Sequence, residues 1–186
     1  GSCSNSVVSG KTPIGVVVYI SGGSDKCGYA MTASPIASSI RWSTEYVNTG
    51  AFQSSSWSSA IKDFDVSGNT TKIIQTGSSN NYPAAYAALN YAPSAAPTSK
   101  GKWMLPTAGI LNSLYKNQKT VDNTISKIGG TQFKDQNEHM WSSSEYGYAS
   151  AWSFCNTEKC GNWVGLGNNN KIYGSFNCVV RPVIMF

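Results

Sequence analysis

Charge is scarce in this chain. Only 12% of its 186 residues are charged, and His139 is its single histidine. Lys and Arg (14) outnumber Asp and Glu (9), for a formal net charge of +5, but they are scattered, with no basic run and no arginine-rich stretch. That pattern leaves no electrostatic footprint for nucleic acid. One histidine gives little material for a Ser-His or Cys-His nucleophile and none for paired histidine ligands in a zinc site. No run of about 18 apolar residues occurs, so no transmembrane helix is expected. A phosphate-cradling glycine loop and an EF-hand loop are both missing. Internal repeats and long linkers are missing too. The chain therefore reads as one domain, long enough for a substantial core.

What the chain does have is 40% hydrophobic residues set among many Ser, Asn, Tyr and Gly. Few charges with that polar set suit an extracytoplasmic or phage-borne globular protein, the alternative being a cytosolic domain of unusual composition. Residues 1–12 are expected to be a flexible N-terminal segment, with Gly1 and Ser2 read as a tag remnant. Cys3 is followed by a Ser/Asn-rich stretch, which is where the lipid anchor of a surface lipoprotein would sit. The other cysteines are Cys27, Cys155, Cys160 and Cys178. Cys155 and Cys160 do not have zinc-ribbon spacing. One or two disulfides, of unread connectivity, and reduced buried thiols are both open readings.

Along the chain, Pro13–Ile20 is β-branched and aromatic, an early strand. Gly22–Asp25 turns it into a second strand over Cys27–Thr32. Ser38–Trp42 is a further strand or a connection. Trp57, Ala60, Ile61 and Phe64 share one helical face, which predicts a first helix over Ser54–Phe64, ended by Asp65–Gly68. Thr70–Gln75 is ambiguous. Tyr82–Asn90 is alanine-rich with Pro83 near its start, a second helix. Residues 92–100 form a loop. Thr107 is placed to cap a helix over Ala108–Tyr115. Lys119–Ile128 is a separate helical candidate, stopped by Gly129 and Gly130.

The stretch from Met140 to Phe186 differs from the rest. Short apolar runs broken by Gly and Asn favour several short strands and turns. It is framed by Trp141–Glu145 (WSSSE) and Val179–Phe186 (VVRPVIMF). Trp103 and Trp141 are expected in the core. Glu145 is expected to accept backbone hydrogen bonds or to pair with Arg181, and Arg181 to pin loops with its planar fork. Between the frames lie Tyr146, Tyr148, Phe154, Asn156, Asn162, Asn168, Asn169, Asn170, Tyr173, Ser175, Phe176 and Asn177. Binding surfaces favour such types: aromatics give rigid area, while Ser and Asn give adaptable hydrogen bonds. The Tyr and Phe members read as ligand contacts. For Asn168, Asn169 and Asn170, turn formation is an equally open reading.

Gly101–Leu111 (GKWMLPTAGIL), Ile128–Gly130, Trp141–Glu145, Ala151–Trp152 and Val180–Val183 (VRPV), in that order, resemble bacterial lectin-like domains. These include the C-terminal domains of collagen-like adhesins. They share the C-type-lectin-like fold with formylglycine-generating enzymes and with the variable proteins of diversity-generating retroelements. The resemblance spans residues 13–186 and implies an α+β fold with the ligand-display region at 140–186. One departure is Ile110, where the family pattern often has a Glu that would complete a capping box with Thr107. The Glu-Pro-Asn, Gln-Pro-Asp and Trp-Asn-Asp signatures of calcium-dependent sugar-binding lectins do not occur, so no metal and no cofactor are expected.

The resemblance implies a non-enzymatic receptor or adhesin, cell-surface or phage-borne, that meets a protein or glycan on another surface. Retroelement variable proteins change by adenine mutation, often in Asn codons with a pyrimidine third base. Such codons can become Tyr, Phe, Ser, Cys, Asp, Gly or Ile, but never Trp, Lys, Glu, Gln or Met. Every residue in the display set is reachable in this way. Trp152, Glu158, Lys159, Trp163 and Lys171 are not, and are expected to be fixed scaffold. The alternatives are an undiversified lipoprotein adhesin or fimbria-associated domain, and a formylglycine-generating-type enzyme using Cys155 and Cys160.

Overall fold

A computed structural model describes residues 8–22, 27–155, 165–173 and 178–186. Its first sheet joins the two ends of the chain. The β-branched run Val16–Ile20 forms β1, which pairs antiparallel with β2 (Gly28–Met31). The far side of β2 takes β7 (Val183–Met185), also antiparallel. Gly28 and Phe186 close the sheet by exchanging backbone hydrogen bonds at 3.3 and 3.2 Å.

Four helices follow β2: α1 (Trp57–Ala60), α2 (Val66–Thr76), α3 (Pro83–Asn90) and α4 (Ala108–Lys127). The helix expected over Ser54–Phe64 is cut to the single turn of α1. Ser56 at its start makes no side-chain cap. Beyond it the backbone tightens, with Lys62 N–H and Asp63 N–H donating three residues back to the Ser59 and Ala60 carbonyls at 3.1 Å each, and the Asp63 carbonyl accepts from the start of α4, from Gly109 N–H at 3.1 Å and Thr107 Oγ1 at 2.6 Å. Trp57 consequently lies 51% exposed and not on a buried face.

Asp65–Gly68, expected to end a helix, begins one. The Asp65 carboxylate accepts from Gly68 N–H at 2.9 Å, an N-cap for α2. Gly68 leaves room for that carboxylate, which a side chain at this position would push aside. The buried stripe Val66, Asn69, Thr70 and Ile73 then keeps helical spacing through the ambiguous stretch.

α3 matches the alanine-rich expectation. α4 merges what read as two helices into 20 residues. Lys116, Asn117 and Gln118 bridge them, and the buried stripe continues through Leu114, Val121 and Ile125. Thr107 caps its start by accepting from Ile110 N–H at 3.3 Å. Gly129, at φ +74°, turns the chain, and Gly130 N–H reaches back to the Ile125 carbonyl at 3.2 Å.

The second sheet runs β5–β4–β3–β6, from β3 (His139–Glu145), β4 (Ser150–Cys155), β5 (Gly165–Asn170) and β6 (Cys178–Val179). β3 pairs antiparallel with β4 and parallel with β6, and β4 pairs antiparallel with β5. Ser38–Trp42 is a connection. It bonds singly to the Cys178 and Lys171 carbonyls, and Ser39 at φ +51° breaks any extended run.

The architecture is thus mixed α+β, with two small sheets and helices between and beside them. One cluster packs α4 between the sheets through Val16, Val18, Ile110, Leu114, Met140 and Phe154. A second gathers Trp42, Tyr82, Leu105, Trp141 and the α3 alanines. Trp103 and Trp141 are fully buried, as expected, and their indole N–H groups donate to Ser99 Oγ at 2.9 Å and the Ile40 carbonyl at 2.8 Å. Arg181 is also fully buried. Its Nη2 donates to the carbonyls of Ala33, at 2.8 Å, and Thr131, and the guanidinium lies 4.1 Å from the Phe133 ring centre. It is the loop pin expected, though it does not pair with Glu145. Cys155 is disulfide-bonded, while Cys27 and Cys178 are free; Cys3 and Cys160 lie outside the described residues.

Candidate functional site

Three consecutive serines in the interior need partners, and they find them. Ser142 Oγ donates to the Trp152 carbonyl at 2.7 Å. Ser143 N–H donates to the Pro106 carbonyl at 2.8 Å. Ser144 Oγ donates to Asp63 Oδ2 at 2.5 Å and accepts from Ala108 N–H at 2.8 Å. Burial pushes the Asp63 pKa above its ordinary value, against the hydrogen bonds from Ser144, the Asp65 backbone and Asn69. β3 is thereby bolted to the starts of α2 and α4.

Glu145 closes β3 and anchors everything above it. Its partner is Lys171, not Arg181. The two form an ion pair with both side chains at 0% exposure. Glu145 Oε1 accepts from Thr49 N–H at 3.0 Å and Thr49 Oγ1 at 2.6 Å. Lys171 Nζ also donates to the Val47 carbonyl at 2.8 Å and lies 4.5 Å from the Trp42 ring centre. Burial pulls the Lys171 pKa below its ordinary value, and Glu145 opposes that pull by hydrogen bond and charge. The backbone of Glu145 completes the join, accepting from Ser54 N–H at 3.0 Å and donating to the Phe52 carbonyl at 2.7 Å.

Above this anchor the β3–β4 hairpin turns through Tyr146–Ala149. Tyr148 stands at the tip, 56% exposed. Tyr146 is half-buried, its ring edge-on to Trp152 at 5.1 Å. Trp152 is buried, and its Nε1 donates to the Ser54 carbonyl at 2.8 Å. On β5, Asn168 is exposed. Asn169 is half-buried with its Nδ2 3.4 Å from Cys178 Sγ. Asn170 is half-buried and bonded to Tyr46, with Oδ1 also accepting from the N–H groups of Ile172 and Tyr173 at 3.0 Å each. Tyr173 follows, 68% exposed.

The display set therefore divides. Tyr148 and Tyr173 face solvent at one end of the sheet, with Tyr146 at their margin, and Asn168 is exposed midway along β5. Phe154 is a correction: at 1% exposure it belongs to the core, packed beside Tyr115 with ring centres 5.8 Å apart. Strand alternation placed it on one face, but α4 covers that face at its depth. Asn169 and Asn170 turn toward the protein. Asn156, Asn162, Ser175, Phe176 and Asn177 lie outside the described residues, as do Glu158, Lys159 and Trp163.

Sequence reasoning missed Tyr46, whose ring stands 5.6 Å from that of Tyr148. No periodicity marks it, and its partners are far away in the chain. Among the described residues, no group of three or more His, Cys, Asp or Glu gathers as metal ligands, and no helix is long and apolar enough to cross a membrane. A scan against protein-family models and a search of curated proteins each find no match.

Proposed function

We propose that this chain is a non-enzymatic ligand-binding domain of the C-type-lectin-like class, a variable protein of a diversity-generating retroelement. It recognises a ligand on another surface through Tyr148, Asn168, Tyr173 and their neighbours. On this reading it works outside the cytoplasm, at a cell surface or on a phage particle. The carrying observation is a coincidence of chemistry and burial. Among the described residues, the exposed members of the display set, Tyr148, Asn168 and Tyr173, are all reachable by adenine mutation of an Asn codon. Trp152 and Lys171, which no such codon can yield, are buried and bonded to the segment 47–54. A face built this way exchanges side chains without disturbing its support.

The same face on an undiversified surface adhesin is the second reading. It is favoured by Phe154 and Asn170, reachable residues whose side chains serve the interior. Sequencing the locus in several isolates separates the two. Diversification predicts an adjacent reverse transcriptase, an adenine-rich near-copy of the 3′ end, and differences that spare Trp152 and Lys171. An identical 3′ end in every isolate, with no such copy, leaves the adhesin reading. Recognition itself is tested with labelled protein on a panel of intact bacterial strains. Wild type should be retained by at least one strain, and Tyr148→Ala/Tyr173→Ala by none.

A further inference from the structure

The residues open to exchange all lie from Tyr146 onward, but the exposed tyrosines among them do not stand by themselves. Tyr46 is half-buried and meets the face twice. Its hydroxyl donates to Asn170 Oδ1 at 3.3 Å and accepts from Asn170 Nδ2 at 3.0 Å. Its ring tilts against that of Tyr148 at 54°, with centres 5.6 Å apart. Asn170 Oδ1 in turn holds the N–H groups of Ile172 and Tyr173, each at 3.0 Å. The Tyr46 hydroxyl thus fixes a carboxamide, the carboxamide shapes a turn, and the turn aims Tyr173 into solvent. Tyr46 is steadied by its neighbour: the Val47 carbonyl accepts from Lys171, which is paired with Glu145. Both chains of contact from Tyr46 end on side chains that point outward, which a tyrosine serving packing alone has no reason to do.

We propose that Tyr46 is a positioning residue of the binding face, setting from outside the exchangeable segment the directions in which Tyr148 and Tyr173 are presented. This rests on the reading of those tyrosines as ligand contacts. Holding an aromatic side chain before the ligand arrives lowers the entropy lost on binding, so the gain falls on the lifetime of the complex. Asn170 then belongs to the support. Exchange at position 170 alters how Tyr173 is offered, without Asn170 itself touching the ligand.

The test has two arms. The first needs no ligand. Tyr46→Phe keeps the ring and removes the hydroxyl, and amide hydrogen exchange is followed at Ile172 and Tyr173. Exchange at these two amides should quicken about fivefold, the scale of one hydrogen bond, with the melting temperature lowered by only about 2–4 °C. Equal rates in the two proteins overturn the proposal. The second arm uses intact cells of the strain that retains wild-type protein. Dissociation of Tyr46→Phe should be roughly three to ten times faster. Dissociation unchanged in Tyr46→Phe, despite faster exchange, overturns the proposal while leaving the ligand-binding reading intact. Retention of wild-type protein by no strain removes that reading and the proposal with it.

Discussion

The two ends of the β4–β5 ladder share one backbone pattern and have opposite surroundings. Moving along one face, the cross-strand pairs are Phe154 with Leu166, Trp152 with Asn168, and Ser150 with Asn170. The first pair joins Met140 under α4 in the main cluster. The last carries the turn that projects Tyr173. Side-chain alternation is the same throughout, so the strand cannot announce which end is dry. What decides is the cover: α4 lies against the inner end, whereas among the described residues the outer end rests on Trp42, the segment 46–54 and the Glu145–Lys171 pair. Residue types that look alike on paper therefore have different work, Phe154 in the interior and Tyr148 at the tip.

The largest break in this comparison should come from the buried pair under the outer end. Lys171→Met leaves Glu145 as a buried carboxylate without its counter-charge, a loss of about 3–5 kcal/mol of stability. Denaturant unfolding measures it. The double variant Lys171→Met/Glu145→Gln should cost clearly less than the sum of the two single changes, because neither charge is then stranded. Additive costs would mean that the pair does not act as a unit.

At the inner end, Phe154→Ala removes a ring at 1% exposure and should cost about 3–4 kcal/mol through lost burial and a residual cavity. A cost under about 1 kcal/mol, at the level of a surface change, would return Phe154 to the exposed set and erase the contrast between the ends.

A buried tyrosine sharpens the same contrast through pH. Tyr82 is fully buried, edge-on to Trp42 at 6.0 Å, and its hydroxyl lies 3.4 Å from Glu45 Oε1. Burial first, and the Glu45 charge second, push its pKa from 10.0 up to about 12. The folded state thus holds the phenolic proton more tightly than the unfolded one. The resulting stability is whole below pH 10 and is lost as pH rises from 10 to about 12. Unfolding followed across that window should show the decline, and Tyr82→Phe should flatten it. An equal decline in Tyr82→Phe would assign the effect elsewhere.

Much of the frame was legible, because its signals are local. The β-branched run of β1, the alanines of α3, the Thr107 cap and the Gly129 stop each act through neighbours a few residues away. Both tryptophans expected in the core are there. Errors arose where distant residues override local ones. Asp65 reads as a helix stop or a helix cap according to what packs behind it. The segment after α1 is tied to the start of α4 through the Asp63 carbonyl. Glu145 has two buried cations within the fold, Arg181 and Lys171, and only the path of the chain selects Lys171. For the display set, the residue types are readable from sequence but their orientation is not. Phe154, Asn169 and Asn170 are compositionally indistinguishable from the exposed members, and Tyr46 carries no local mark.

The smallest effect is the most telling for the outer end. Tyr148 and Tyr173 are 56% and 68% exposed. Tyr148→Ala loses only the tilted contact with Tyr46, and Tyr173→Ala keeps the backbone N–H that Asn170 holds. Each should change stability by no more than about 0.5 kcal/mol, the range of ordinary surface substitutions. Each should nonetheless weaken retention on cells, because aromatic side chains at the centre of a contact carry a disproportionate share of binding energy. Thermal unfolding and cell retention measured on the same preparations separate the two quantities. A melting temperature that falls in step with retention would mean that these tyrosines hold the hairpin together, and the outer end would then be frame like the inner one.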